Sequence, residues 1–180
     1  MAAFESRVQR THLVELDPDV ASVWRVILSN SVNELITRII DFHCVEADVR
    51  AVLSVPPSDD IERAFQTILR NRVSRGGILA PGAGMVRTGE ANKGIASRWY
   101  PETLAKRIAG IYEHRHRITF ACDDGIQALL DYKDEEGAVF FIDPPYPIAG
   151  KRLYRFHDLD HRLLFEIMAQ LRGNFLATYD

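Results

Sequence analysis

Residues 140–148, Phe-Phe-Ile-Asp-Pro-Pro-Tyr-Pro-Ile, close an apolar run with a carboxylate, two prolines and a tyrosine. Neither Pro144 nor Pro145 carries a backbone N–H, and each holds φ near about −65°. Asp143 and the Pro144 carbonyl therefore form a stiff strip of acceptors, suited to a ligand group with two N–H donors, such as an amine or amide. Tyr146 adds a flat face on which a planar ring can stack. The combination fits a planar, amine-bearing ring, with a nucleobase as the obvious candidate. A buried strand followed by a rigid turn would use the same residues.

The elements that must position this strip follow from periodicity. Residues 11–16, 117–122, 138–142 and 174–179 are short apolar runs bounded by polar residues, and they predict strands. Asp17-Pro18 predicts a helix N-cap with proline at the first helical position, followed by Val20, Val23, Trp24, Ile27 and Leu28 at helical spacing. Ser31 to Glu34 predicts a capping box, with Leu35, Ile36, Ile39 and Ile40 on the inner face of the helix it opens. Residues 54–60 break that pattern and start a new helix to about Arg70, and a further helix begins near Pro101. Short helices through Ile126, Leu129 and Leu130, and over residues 159–172, complete the alternation, with Gly173 punctuating the last helix-to-strand turn. Alternation of this kind implies an α/β fold with parallel strands and helices on both faces. Ligands in such sheets lie beyond the carboxyl ends of the strands, where Glu15, Asp123 or Asp124, and Asp143 fall. Helix capping would account for Asp17 and Asp124, but not for Glu15 and Asp143.

With 180 residues, 47% hydrophobic and 26% charged, the chain has the composition of one globular domain. No apolar run approaches the roughly 20 residues that span a bilayer, so no membrane partner is expected. Two cysteines, Cys44 and Cys122, are too few for a disulfide scaffold, and a reducing cytoplasm is the expected compartment. The net charge is −3, yet residues 61–117 carry eleven Lys or Arg against four Glu and no Asp. That basic middle suggests contact with a polyanion, or else a solvated helical face with scattered arginines. Within it, residues 75–94 are glycine-rich and aperiodic, as in a long functional or mobile loop.

Taken together, these segments resemble the Dam-like class of DNA adenine methyltransferases. Asp143-Pro144-Pro145-Tyr146 after a hydrophobic strand resembles the signature of amino-methyltransferases that use S-adenosylmethionine. Residues 13–28 resemble the class's second strand and following helix, and residues 118–130 its third strand. Residues 69–78 resemble part of its target-recognition insertion, and residues 173–180 the strand after the catalytic loop. The resemblance implies a Rossmann-like methyltransferase core over 1–50 and 116–180 and an insertion over 51–115. It implies catalysis by Asp143, Pro144, Pro145 and Tyr146 on the exocyclic amine of a flipped adenine in double-stranded DNA. Glu15 matches the position that holds the cofactor ribose hydroxyls, Asp124 the position near its adenine, and Asp143 also borders the cofactor. Arg70, Arg72, Arg75, Lys93 and Arg98 would contact phosphates or bases from the insertion, and Lys151 and Arg152 a phosphate beside the flipped base. Lys151 and Arg152 would serve equally in a solvated loop. A restriction-modification setting is the context the resemblance suggests, and no metal is implied.

The class also has a Phe-x-Gly-x-Gly loop after its first strand, which this sequence lacks, and Pro81 to Gly89 has no strand-turn-helix context to replace it. The chain is therefore expected to be an internal fragment with a partial sheet and an incomplete cofactor cradle. The alternatives are the same chemistry on RNA, cytosine or a protein amide, or a non-catalytic nucleic-acid-binding fragment. His157 and His161 have the spacing of a helical zinc pair, but helix-start polar residues account for them as well. Cys122 reads as a packed thiol and Trp24 as core, while Trp99-Tyr100 suits either core or base stacking.

Overall fold

A computed structural model describes residues 8–80, 82–89, 92–147 and 150–179, with the side chains of residues 151 and 152 left aside. The first strand, β1 (Thr11–Val14), leads to α1 (Pro18–Ile27), whose N-cap Asp17 accepts from the Asp19 N–H at 2.8 Å. Then come α2 (Val32–Asp41), α3 (Glu46–Ser54), α4 (Asp60–Val73) and α5 (Pro101–Glu113). The capping box does not form at α2. Ser31 is not in the extended conformation a cap needs (φ −80°, ψ 3°), and its side chain makes no cap bond. Its N–H instead donates to the Ser29 hydroxyl at 3.1 Å, so the helix is entered through a turn. Helix α3 has no periodic signal as clear as its neighbours', and only Val49 is buried along it.

Strand β2 (Ile118–Ala121) pairs with β1 in parallel, with Thr11 opposite Ile118 and Val14 opposite Ala121. Helix α6 (Gly125–Tyr132) leads to β3 (Val139–Ile142), then α7 (Gly150–Leu153), α8 (His161–Met168) and β4 (Asn174–Ala177). Strands β3 and β4 also pair in parallel, with Val139 opposite Asn174 and Ile142 opposite Ala177. Among the described residues the strands thus form two parallel pairs of an α/β fold. The face of β3–β4 that carries Val139, Phe141 and Leu176 is open to solvent rather than covered by a helix, with Phe141 67% exposed. Gly173 fits the α8–β4 turn because a Cβ there would meet the Ala138 carbonyl oxygen at 2.4 Å.

Two hydrophobic clusters hold these elements. The larger joins α1, α2, α4 and α5 through Val26, Leu35, Ile39, Phe65, Leu69 and Ile108. Trp99 belongs to it, meeting Phe42 and Phe65 edge-on at 5.7 and 6.3 Å between centroids, while Tyr100 is exposed. Core packing therefore claims Trp99, and Trp24 is half-buried over Phe120 of β2. The domain boundary expected near residue 51 runs through this cluster. The smaller cluster is Leu129, Ile142, Leu164, Ile167 and Met168, between β3 and helices α6 and α8.

Candidate active site

Buried Ile142 ends β3 and delivers the next residue to the rim. The Thr178 N–H donates to the Ile142 carbonyl at 3.0 Å, which sets the end of β4 beside it. From there the Thr178 hydroxyl donates to Oδ1 of Asp143. One carboxylate oxygen is thus fixed by a neighbouring strand, and Asp143 itself stays exposed. Among the described residues none donates to Oδ2 of Asp143 or to the Pro144 carbonyl; Asp143 is exposed, whereas Pro144 is buried.

The chain folds tightly after the strip. Pro144 is buried, Pro145 and Tyr146 are half-buried, and the Tyr146 carbonyl accepts the Gly150 N–H at 2.8 Å. Helix α7 follows, and Tyr154 just after it lies within electrostatic reach of Asp143 and Tyr146. Burial raises the Tyr154 phenol above its ordinary pKa, and the nearby Asp143 and Tyr146 raise it further. Tyr154 had no signal in the sequence, because only the turn at Gly150 brings it back to Asp143. His157 lies on the same turn, with a buried Nδ1 that has no hydrogen-bond partner among the described residues. His161 is instead tied to Tyr179, whose hydroxyl lies 3.1 Å from its Nδ1. The two histidines thus serve different contacts, and no group of metal-ligating side chains occurs among the described residues.

At the paired ends of β1 and β2 stand Glu15, Asp123 and Asp124. The Asp123 N–H donates to the Glu15 carbonyl at 3.2 Å, so the two rims adjoin. Glu15 is half-buried, and its Oε1 accepts the Asp17 N–H at 2.9 Å. Burial raises its carboxyl pKa, the Asp17 N–H opposes that shift, and the Asp17 charge adds to it. Asp124 caps α6, accepting from the Ile126 N–H at 2.7 Å. Both acids keep one carboxylate oxygen without a described partner. Cys122 is exposed at this rim rather than packed, because β2 ends one residue earlier. The other thiol, Cys44, is pushed up to about 11 by burial.

The basic residues of the middle segment divide by environment. Arg75 and Lys93 are exposed. Arg98 donates to the Ser74 carbonyl at 3.0 Å and so braces the glycine-rich loop. That loop is folded back on α4 rather than extended: Ser74 and Met85 form an antiparallel bridge, and the Val86 N–H donates to the Val73 carbonyl at 2.8 Å. Gly89, at φ +64°, packs where a Cβ would meet the Ser97 hydroxyl at 2.3 Å. Arg72 is lowered from its ordinary pKa by burial and then by the charges of Arg98 and Arg107. These three guanidiniums stand together, and none forms an ion pair with a described residue. Arg107, exposed on α5, is a member of this cluster not singled out from the sequence. Arg70 lies elsewhere, 3.9 Å from Asp19. The side chains of Lys151 and Arg152 lie outside the described residues.

Among the described residues no helix is long and apolar enough to cross a membrane. No protein-family model matches the chain, and no curated protein matches it.

Proposed function

We propose that the chain carries the methyl-accepting site of an S-adenosylmethionine-dependent methyltransferase acting on the exocyclic amine of adenine in double-stranded DNA. The observation that carries this reading is the exposed Asp143 carboxylate, anchored by the Thr178 hydroxyl at the start of the Asp-Pro-Pro-Tyr strip, with Tyr146 and Tyr154 near it. An adenine amine is a poor nucleophile because its lone pair is delocalised into the ring. Asp143 and the Pro144 carbonyl would each accept one of its N–H hydrogens, drawing the nitrogen toward a tetrahedral shape with a localised lone pair. In the transfer the N–C bond would form as the sulfonium S–CH3 bond breaks and leaves a neutral thioether, and Asp143 would be placed to take the proton that the nitrogen must lose. Tyr146 would hold the face of a base flipped out of the duplex. Catalysis on this scheme is positioning and electrostatic preorganisation, with no covalent enzyme intermediate.

S-adenosylmethionine, when bound, supplies a methyl group on a positively charged sulfur. The acids at the β1–β2 rim fit such a cofactor. Glu15 offers a free carboxylate oxygen to ribose hydroxyls, and Asp124 offers one to an adenine amine. In this reading β2–β1 and β3–β4 are the two flanks of one Rossmann-like sheet. Their shared parallel sense and the acids at both sets of carboxyl ends support that view. Arg72, Arg98 and Arg107 would face the DNA, since three guanidiniums with no carboxylate partner suit a polyanion. The same cluster also favours a second reading, a nucleic-acid-binding chain without transfer. The two separate in one assay. Isotope-labelled S-adenosylmethionine and unmethylated duplex DNA are incubated with the chain, and in parallel with a version bearing an added N-terminal strand and Phe-x-Gly-x-Gly loop. Label in N6-methyladenine supports the enzyme; DNA binding by both forms with no label from either leaves only the binding role.

A further inference from the structure

Three arginines from two distant segments converge on one carboxylate at the start of α1. Arg63 of α4 donates to Oδ1 of Asp19 at 3.0 Å, Arg155 donates to Oδ2 at 2.6 Å, and Arg70 stands 3.9 Å from Oδ2. Arg155 also lies 3.8 Å from Asp17. Even with both aspartates ionised, three guanidiniums leave one positive charge in excess. Burial alone would raise the Asp19 carboxyl, but hydrogen bonds from Arg155 and Arg63, with their charges, carry it below its ordinary range. Asp19 therefore anchors and orients the arginines without neutralising all three.

Most of the donor capacity is unspent. Each guanidinium has five N–H groups, yet among the described residues the hydrogen bonds of these three go to Asp19 alone. All three arginines line a cavity of about 270 Å³ together with Asp19, Pro57, Gln66 and Thr67. That is far more than the roughly 10–15 Å³ that admits one water, and it has room for a tetrahedral anion. Planar guanidinium forks match phosphate oxygens bidentately. A purely structural ion pair would need one arginine rather than three, since each added like charge costs energy.

One cavity residue is joined to the candidate active site along the chain. Arg155 follows Tyr154, and Tyr154 senses the charge of Asp143. We propose that this cavity is a phosphate site, taking a backbone phosphate of the nucleic acid whose base is presented to Asp143. The assignment of that phosphate to a substrate strand rests on the methyltransferase reading above. The site couples the insertion helix α4 to the segment after the Asp-Pro-Pro-Tyr strip, so that docking of the strand and placement of the base occur together.

The test uses the whole chain with two probes, inorganic phosphate and a fluorescent duplex oligonucleotide. Inorganic phosphate should raise the melting temperature by about 2–4 °C over sodium chloride of equal ionic strength. Arg155→Gln and Arg63→Gln should each abolish that rise, while Arg50→Gln, at an exposed arginine paired only with Glu46 among the described residues, should keep it. Both cavity variants should weaken duplex binding about tenfold and lower its salt slope by about one. Arg155→Lys, which keeps the charge and loses the fork, should retain part of both responses, and circular dichroism checks that every variant is folded. A wild-type melting temperature that ignores phosphate, or an Arg155→Gln salt slope equal to wild type, makes the cluster a structural clasp and overturns the proposal. Methyl transfer is scored separately. An intact phosphate response with no transfer from either this chain or the version with the added strand and loop removes the methyltransferase reading and leaves a phosphate site, whereas transfer with no phosphate response removes this site alone.

Discussion

The helices between residues 18 and 113 and the β3–α8–β4 unit differ in how thoroughly they are packed. The helical part buries Phe65, Leu35, Ile39, Leu69 and Val73 completely. The C-terminal unit buries Ile142, Leu164, Ile167 and Met168 and leaves Val139, Phe141, Phe175 and Leu176 largely in solvent. The candidate catalytic strip belongs to the second, sparsely covered part, while the helical part supplies rigidity and the basic surface. Rigid scaffolds commonly carry their chemistry on such less buried rims. The ion pairs of Arg155 with Asp17 and Asp19 tie the active-site segment to the well-packed half.

The largest expected effect lies in the helical core. Phe65→Ala removes a ring that Phe42 and Trp99 contact edge-on and that Arg38 covers at 4.7 Å. It should cost about 3–5 kcal/mol in denaturant unfolding, and a loss under 1 kcal/mol would mean the core is looser than its burial implies. Leu164→Ala, in the smaller cluster, should cost about 2–3 kcal/mol. Its signature should be local, with faster amide exchange in β3 and β4 and unchanged protection in α4. Uniform loss of protection would erase the contrast between the two parts.

Smaller effects test the link between the halves. The folded pKa of Asp19 lies below its unfolded value of about 3.9. Its stabilising contribution is therefore present above about pH 4 and is lost as pH falls through the folded value. Asp19→Asn should flatten the fall of melting temperature between about pH 4 and pH 2. An unchanged acid limb would show that other carboxylates govern it. The mildest probe is thiol labelling at about pH 8: exposed Cys122 should react well before Cys44, whose thiol burial pushes up to about 11. Equal rates would indicate that the helical part opens readily around Cys44.

Local patterns in the sequence carried much of this architecture. Apolar runs of four to six residues and the Asp17-Pro18 and Pro101 starts located the strands and most helices, because capping and periodicity are short-range effects. Helix α3 escaped notice because a single buried residue gives no period. The Ser31 box failed because a backbone turn competed for the same groups. For the site, Asp143 and its prolines stood out through chemistry that needs no tertiary contact. Thr178, Tyr154 and the Asp19 arginine cluster come together only through strand register and the α7 turn, and neither is visible in composition. Arg98 looked like a nucleic-acid contact from its neighbourhood, yet it also donates to the Ser74 carbonyl, a long-range bond that spacing cannot reveal.

The most direct measurement compares Asp143→Ala with wild type in the form that transfers label, following methyl incorporation at adenine and duplex binding side by side. The variant should lose at least about a hundredfold in transfer rate while keeping its melting temperature and most of its DNA affinity, because Asp143 is exposed and, among the described residues, hydrogen-bonded by Thr178. Transfer that survives the substitution, or a loss of folding that accounts for its disappearance, would contradict the assignment of Asp143 as the acceptor of the amine.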